Sequence, residues 1–111
     1  MLRCLRGFGA RVRESVDARG GRHLYIRGFG REPANPGTVD PGNAGAVLRF
    51  VMGVGALLPE VSFRTSFQDS LGQRPHGDLL SALEQLGVAV ESNDGKLPIV
   101  LRGRDLHGGK V

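Results

Sequence analysis

The sequence has few of the residues that hold small proteins together by covalent or metal bonds. Its 111 residues include one cysteine, Cys4, and no tryptophan. A lone cysteine forms no internal disulfide and no cysteine-rich metal site. No apolar run approaches the 18 or more residues of a membrane span, and the first residues lack the apolar stretch of a secretory signal. We therefore expect a cytoplasmic chain, free of the membrane, that is held by packing alone.

Lysine is also scarce, because the 15 basic residues include only Lys96 and Lys110 and the rest are arginines. The guanidinium fork suits bidentate contacts with phosphate and carboxylate groups. The net charge of +4 favours anionic partners, but basic and acidic residues are interspersed, so bulk charge identifies no partner. A hydrophobic content of 40% and 18 glycines indicate one globular domain over residues 1–111 with many short elements.

Spacing and turn residues predict mixed helix and strand, an α/β (α+β) chain. Three prolines and four glycines in residues 28–42 predict a long connection without regular structure. Asn43 is a candidate N-cap for an apolar helix that is buried between layers, and Pro75 is a candidate first residue for the next helix. In chain order we predict a short helix at 2–8, a hairpin at 11–16 and 23–26, a helix at 43–58, a strand at 60–65, a helix at 75–86 and a hairpin at 88–90 and 98–101.

The two ends of the chain repeat one another. Leu5-Arg6-Gly7-Phe8-Gly9 leads into the first hairpin as Leu83-Glu84-Gln85-Leu86-Gly87 leads into the second. The repeated unit is helix, glycine, strand, turn, strand. Since the first copy has most of its helix missing, we expect the chain to be a fragment that begins within an element.

Two helix starts carry the residues of an anion site. Gly45 stands at one predicted start with Arg49 in the next turn, and Arg74 precedes the other start, which contains Gly77. Free N–H groups at a helix start favour phosphate, and an adjacent guanidinium strengthens the site. An Asn-capped helix after a glycine turn has the same pattern without any ligand, so capping is the preferred role of Asn43.

Other kinds of site lack their residues. The three histidines have no cysteine or carboxylate at ligand spacing, so no metal is implied, and no serine lies in a nucleophile elbow. Two Arg-Gly-Phe-Gly segments, at 6–9 and 27–30, are similar to RNA-binding Arg-Gly repeats. A non-catalytic module that binds anions or RNA is therefore an alternative, although we expect no nucleic-acid partner.

Three segments together resemble the 5-enolpyruvylshikimate-3-phosphate (EPSP) synthase family. They are Gly-Asn-Ala-Gly-Ala-Val-Leu-Arg at 42–49, Arg-Pro-His-Gly-Asp-Leu-Leu at 74–80 and Leu-Glu-Gln-Leu-Gly-Val at 83–88. The resemblance implies a truncated βαβαββ repeat unit of the inside-out α/β barrel of enolpyruvyl transferases. It also implies part of a monomeric shikimate-pathway transferase, which moves the enolpyruvyl group of phosphoenolpyruvate to the 5-hydroxyl of shikimate 3-phosphate without any cofactor.

By the same resemblance, Gly45 and Arg74 match the residues that bind the phosphate of phosphoenolpyruvate, while Asn43 and Arg49 support that site. Ala46 and His76 depart from the family pattern, which has threonine and an apolar residue there. The family's acid and base groups and its shikimate-phosphate motif have no counterpart, so we expect no catalytic residue here and an inactive fragment. The enolpyruvyl transferase that acts on UDP-N-acetylglucosamine is the nearest alternative, but its reactive cysteine is replaced by the Asp69–Ser70 stretch.

Overall fold

The computed structural model describes all residues, Met1–Val111. They form three helices, a two-stranded antiparallel sheet and a four-stranded mixed sheet. The elements in chain order are α1 (Leu2–Gly7), β1 (Arg11–Val16), β2 (Arg22–Arg27), β3 (Thr38–Val39), α2 (Gly45–Gly55), β4 (Val61–Phe63), α3 (Gly77–Gln85), β5 (Ala89–Asn93) and β6 (Lys96–Arg102), with a 3-10 turn at Leu71–Gln73. The mixed helix-and-sheet class is confirmed.

Residues 38–102 form one complete βαβαββ unit. Their elements follow the order β3, α2, β4, α3, β5, β6, and the sheet order is β3-β4-β6-β5. Strands β3 and β4 are parallel, whereas β4 and β5 both run antiparallel to β6. The βαβαββ type is thus confirmed, and this unit has all six of its elements.

The prediction that residues 28–42 lack regular structure was wrong at one point. Thr38 and Val39 form β3, which pairs with Ser62 and Phe63 of β4. Both residues are β-branched, and the pairing with β4 satisfies their backbone although prolines and glycines surround them. The segment thereby contributes the first strand of the βαβαββ unit.

The repeat between the two ends is present in the backbone. The C-terminal turn of α1 closes with an N–H to carbonyl bond from Gly9 to Arg6, and the turn of α3 closes with the equivalent bond from Gly87 to Glu84. Both glycines have positive φ, +99° and +93°, a conformation that glycine adopts without steric cost. The structure therefore has α1, β1 and β2 as a second copy of α3, β5 and β6.

One apolar core joins the helices to the four-stranded sheet. It contains 17 buried residues, and alternate positions of β6, Leu97, Ile99 and Leu101, face it. Helix α2 packs closely on β4 at Gly55. The expectation that α2 is buried between two layers was wrong, because Phe50 on its outer face is 70% exposed. The β1–β2 hairpin lies outside this core and is exposed along almost its whole length.

Candidate functional site

The beginning of α2 lies beside Arg74, the arginine that precedes the second predicted helix start. Helix α2 begins at Gly45, and a methyl group placed on Gly45 would lie 3.2 Å from Nη1 of Arg74. The same methyl group would lie 3.7 Å from Cδ1 of Leu71. The guanidinium of Arg74 therefore lies close to the first residue of α2, and the absence of a side chain at residue 45 makes that approach possible.

Asn43 does not cap α2, so the preferred role for this residue was wrong. The residue before the helix is Ala44, and no side chain caps the N-terminus. The Asn43 Oδ1 atom instead accepts a hydrogen bond of 3.2 Å from the backbone N–H of Leu71. The Arg74 N–H in turn donates to the Leu71 carbonyl, so Asn43 ties the beginning of α2 to the turn that carries Arg74.

The buried Thr65 makes a second link beneath the site. Its hydroxyl donates to the carbonyl of Gly42 at 2.8 Å and accepts a hydrogen bond from the N–H of Phe67. Gly42 has a φ of +68°, so the chain turns sharply there before it enters α2. Thr65 has no signal in the sequence beyond its position at the end of the predicted strand 60–65, so its role could not be predicted.

Helix α3 begins two residues later than predicted. Its first residue is Gly77 rather than Pro75, and His76 immediately precedes the helix. The His76 N–H donates to the carbonyl of Gly95, and the His76 carbonyl accepts the first helical bond, from Leu80. This contact with the turn of the β5–β6 hairpin fixes where the helix begins, and it could not be derived from the residues around Pro75.

A cleft of about 480 Å³ lies between α2 and the beginning of α3. Arg49 enters it from α2, and the residues from Pro75 to Leu79 form the rest of its lining. Arg74 directly precedes this segment, and Asp78 supplies the cleft's one carboxylate. Arg49 in the cleft, Arg74 beside it and the first residues of α3 thus outweigh one negative charge, which makes the region suited to an anion.

His76 is a residue of this cleft whose environment could not be predicted from the sequence. It is 3% exposed, and neither ring nitrogen has a hydrogen-bond partner. Burial lowers the pKa of the His76 imidazole, and the positive charges of Arg49 and Arg74 lower it further. The His76 imidazole therefore holds a proton less readily than an exposed histidine does, and it lies near two permanent cations.

Other predicted features lie elsewhere. His23 is paired with Asp17 in the turn of the first hairpin, at 2.9 Å. Cys4 is buried in the core, and no group of three or more potential metal ligands occurs in the chain. No helix has both the length and the hydropathy to cross a bilayer.

The RNA-binding alternative is not favoured by the two Arg-Gly-Phe-Gly segments. Phe8 is fully buried, and the half-buried Phe29 packs against it with ring centroids 6.5 Å apart. A ring held in the core offers no face on which a base could stack. These two phenylalanines fix the connection after β2 to α1.

Fold and site together define an α/β protein of the βαβαββ type with a cationic cleft suited to a phosphate group. The family model described as EPSP synthase (3-phosphoshikimate 1-carboxyvinyltransferase) matches residues 1–111. The chain belongs to the EPSP synthase family, as the resemblance of its motifs predicted.

Similar proteins agree with this assignment. The chain is 56% identical over 111 residues to a 3-phosphoshikimate 1-carboxyvinyltransferase of Deinococcus radiodurans, which matches all of the chain and 24% of the relative. A protein of the same name from Methanopyrus kandleri is 40% identical, over 96% of the chain and 25% of the relative. An EPSP synthase structure from Acinetobacter baumannii shares the fold, with a TM-score of 0.72, 20% identity and coverage of 98% of this chain and 24% of that one. The chain therefore spans about a quarter of the length of these proteins.

Proposed function

We propose that this chain supplies part of the phosphoenolpyruvate site of an enzyme that transfers the enolpyruvyl group to the 5-hydroxyl of shikimate 3-phosphate. In this proposal the N–H groups at Gly45 and the guanidinium of Arg74 bind the phosphate of phosphoenolpyruvate. Arg49 adds positive charge, and Asn43 holds Gly45 and Arg74 in register. The enzyme is expected to be monomeric and cytoplasmic and to need no metal or organic cofactor.

The observation that carries the proposal is the contact between Gly45 and Arg74. Gly45 begins α2 and Arg74 follows the 3-10 turn, 29 positions later in the sequence, yet Arg74 Nη1 lies 3.2 Å from the place that a Cβ at residue 45 would take. Phosphate leaves in the proposed reaction, so donors that stabilise its charge as the bond to carbon breaks would lower the barrier. The family membership supports the substrate class, because relatives bearing the transferase name match all or nearly all of this chain.

Turnover can be tested in a chimera in which residues 1–111 replace the matching quarter of the Deinococcus radiodurans relative. The readout is phosphate release in the presence of phosphoenolpyruvate and shikimate 3-phosphate. Arg74→Ala removes a preorganised charged donor and should lower kcat/KM for phosphoenolpyruvate by about 10²- to 10³-fold, as the loss of an oxyanion donor does. Arg74→Lys should recover only part of this loss, because the ammonium keeps the charge but not the fork.

Arg64→Ala is the matched control, since Arg64 is an exposed arginine that follows β4 and does not line the cleft. A chimera that loses activity with Arg64→Ala but keeps it with Arg74→Ala would refute the assignment. Residues 1–111 on their own should bind phosphate but release none from the two substrates. The cleft holds a single carboxylate, Asp78, whereas addition to and elimination from a tetrahedral intermediate require both a general acid and a general base.

A further inference from the structure

The buried imidazole of His76 is the feature of the cleft that its role as a phosphate site leaves unexplained. An apolar side chain would fill the same space without any polar atoms to satisfy, whereas both nitrogens of His76 lack partners. Buried polar groups without partners are rare in native proteins, and they concentrate where strain or chemistry is needed. Its backbone is held on both sides by the bonds to Gly95 and Leu80, so the ring does not reach its position by chance mobility of a loop.

The charges near His76 lie on several neighbouring elements. Arg49 on α2 and Arg74, two residues before His76, are the two cations whose charge acts on its ring. Asp78 lines the same cleft from the first turn of α3. Asp94 and Lys96, of opposite charge, flank Gly95, whose carbonyl accepts from the His76 N–H. The two cations that act on the ring outweigh the one carboxylate of the cleft. A proton on His76 would add a further positive charge to this set, and that is unfavourable until negative charge enters the cleft.

We propose that His76 takes up a proton from solvent when a dianion binds between Arg49 and Arg74, and that it thereby selects dianions over monoanions. One ring nitrogen gains a proton and no other bond changes. A dianion offsets both guanidinium groups, so the penalty on the imidazolium falls, whereas a monoanion leaves one cation uncompensated. This inference rests on the proposed phosphate site and adds to it a preference for ligand charge.

Proton uptake has a sign that can be measured. Burial, Arg49 and Arg74 lower the pKa of His76 and so disfavour its imidazolium form when no anion is bound. In the proposal, a bound dianion raises this pKa. By linkage, an ion whose binding is coupled to proton uptake binds more tightly as the pH falls. A shift of about one pH unit in the His76 midpoint corresponds to a change of up to about tenfold in dianion affinity.

Sulfate is the best probe because it remains a dianion over the whole range in which histidine titrates. The ring-proton NMR signals of the 111-residue chain would be followed from pH 5 to 8.5 in sodium sulfate and in sodium chloride of matched ionic strength. We expect sulfate to raise the midpoint of His76 by about one unit and chloride to leave it in place. Sulfate affinity should rise by up to about tenfold as the pH falls from 8.5 to 5, with most of the rise below about pH 6.5, because the His76 pKa lies below its usual value in the free chain.

Variants separate this inference from the phosphate site itself. His76→Met should bind sulfate with an affinity that no longer depends on pH, and His76→Gln provides a second neutral variant if the first folds poorly. His23→Gln, in the distant hairpin, should keep the full pH dependence. A His76 midpoint that does not move in saturating sulfate, or a pH dependence that survives in His76→Met, overturns the inference. If Arg74→Ala abolishes sulfate binding but sulfate does not shift the His76 midpoint in the parent chain, the phosphate site is supported and the inference alone fails. If the parent chain binds no sulfate at all, both fail.

Discussion

Replacement of Gly45 by alanine should weaken anion binding while it leaves the fold intact or slightly more stable. The new methyl group would lie 3.2 Å from Nη1 of Arg74, closer than such contacts ordinarily are. Arg74 is exposed and its guanidinium stands at the end of a flexible chain, so the guanidinium should move by a few tenths of an ångström rather than the helix. A hydrogen bond to a charged group contributes about 1.5–3 kcal/mol, and losing about half of it costs ~1 kcal/mol, or roughly fivefold in affinity.

The same substitution has the opposite effect on folding, because alanine has a helix propensity up to about 1 kcal/mol better than glycine. Isothermal titration calorimetry with phosphate would measure the change in affinity, and urea unfolding of the same variant would measure the change in stability. Gly53→Ala is the matched control, since it lies in the same helix and no atom lies within 4 Å of its added methyl group. It should raise the free energy of unfolding without any change in affinity. Equal phosphate affinity for Gly45→Ala and the parent chain would show that Arg74 and Gly45 do not share a ligand.

Three further predictions concern the packing of α2, the first hairpin and specificity. Gly55→Ala would place a methyl group 2.7 Å from Cζ of Phe63. It should lower the free energy of unfolding, measured in urea, by about 1–3 kcal/mol. A rise in the free energy of unfolding like that of Gly53→Ala would contradict the close packing. The hydrogen bond from His23, with two backbone N–H groups, lowers the pKa of Asp17, so the stability that this carboxylate adds to the hairpin turn is present above its unfolded value and lost as the pH falls below about 4. NMR shifts of the turn amides should therefore show a step below pH 4 that is absent in Asp17→Asn; an identical step in the variant would assign the transition to another group. In the chimera, Ala46→Thr adds a hydroxyl beside Gly45. It should change the ratio of the phosphoenolpyruvate KM to the inhibition constant of a glyphosate-like phosphonate by about fivefold, which corresponds to one hydrogen bond. Unchanged constants would show that residue 46 is not part of the site.

The repeated unit could be predicted from the sequence because short-range signals determine where its helices end. The helix ends at Gly9 and Gly87 depend on glycine in a left-handed conformation. A glycine after a helical pattern is visible in the sequence itself. Strand β3 escaped prediction because two residues carry no periodicity, and their pairing with β4 is formed only after α2 brings the chain back. Short strands that rely on a distant partner have no local signal.

The residues of the candidate site also differ in whether the local sequence indicates their role. Gly45, Arg49 and Arg74 could be singled out because free helix N–H groups and guanidinium groups have a chemistry that is independent of tertiary structure. The environment of His76 depends instead on the carbonyl of Gly95 and on Arg49 from another helix. A histidine after Arg-Pro is a polar residue near a helix start until those contacts bury it. Burial and the neighbouring cations are not visible in the local sequence, and both disfavour protonation of the His76 ring. The charge of His76 should therefore depend on which ion occupies the cleft.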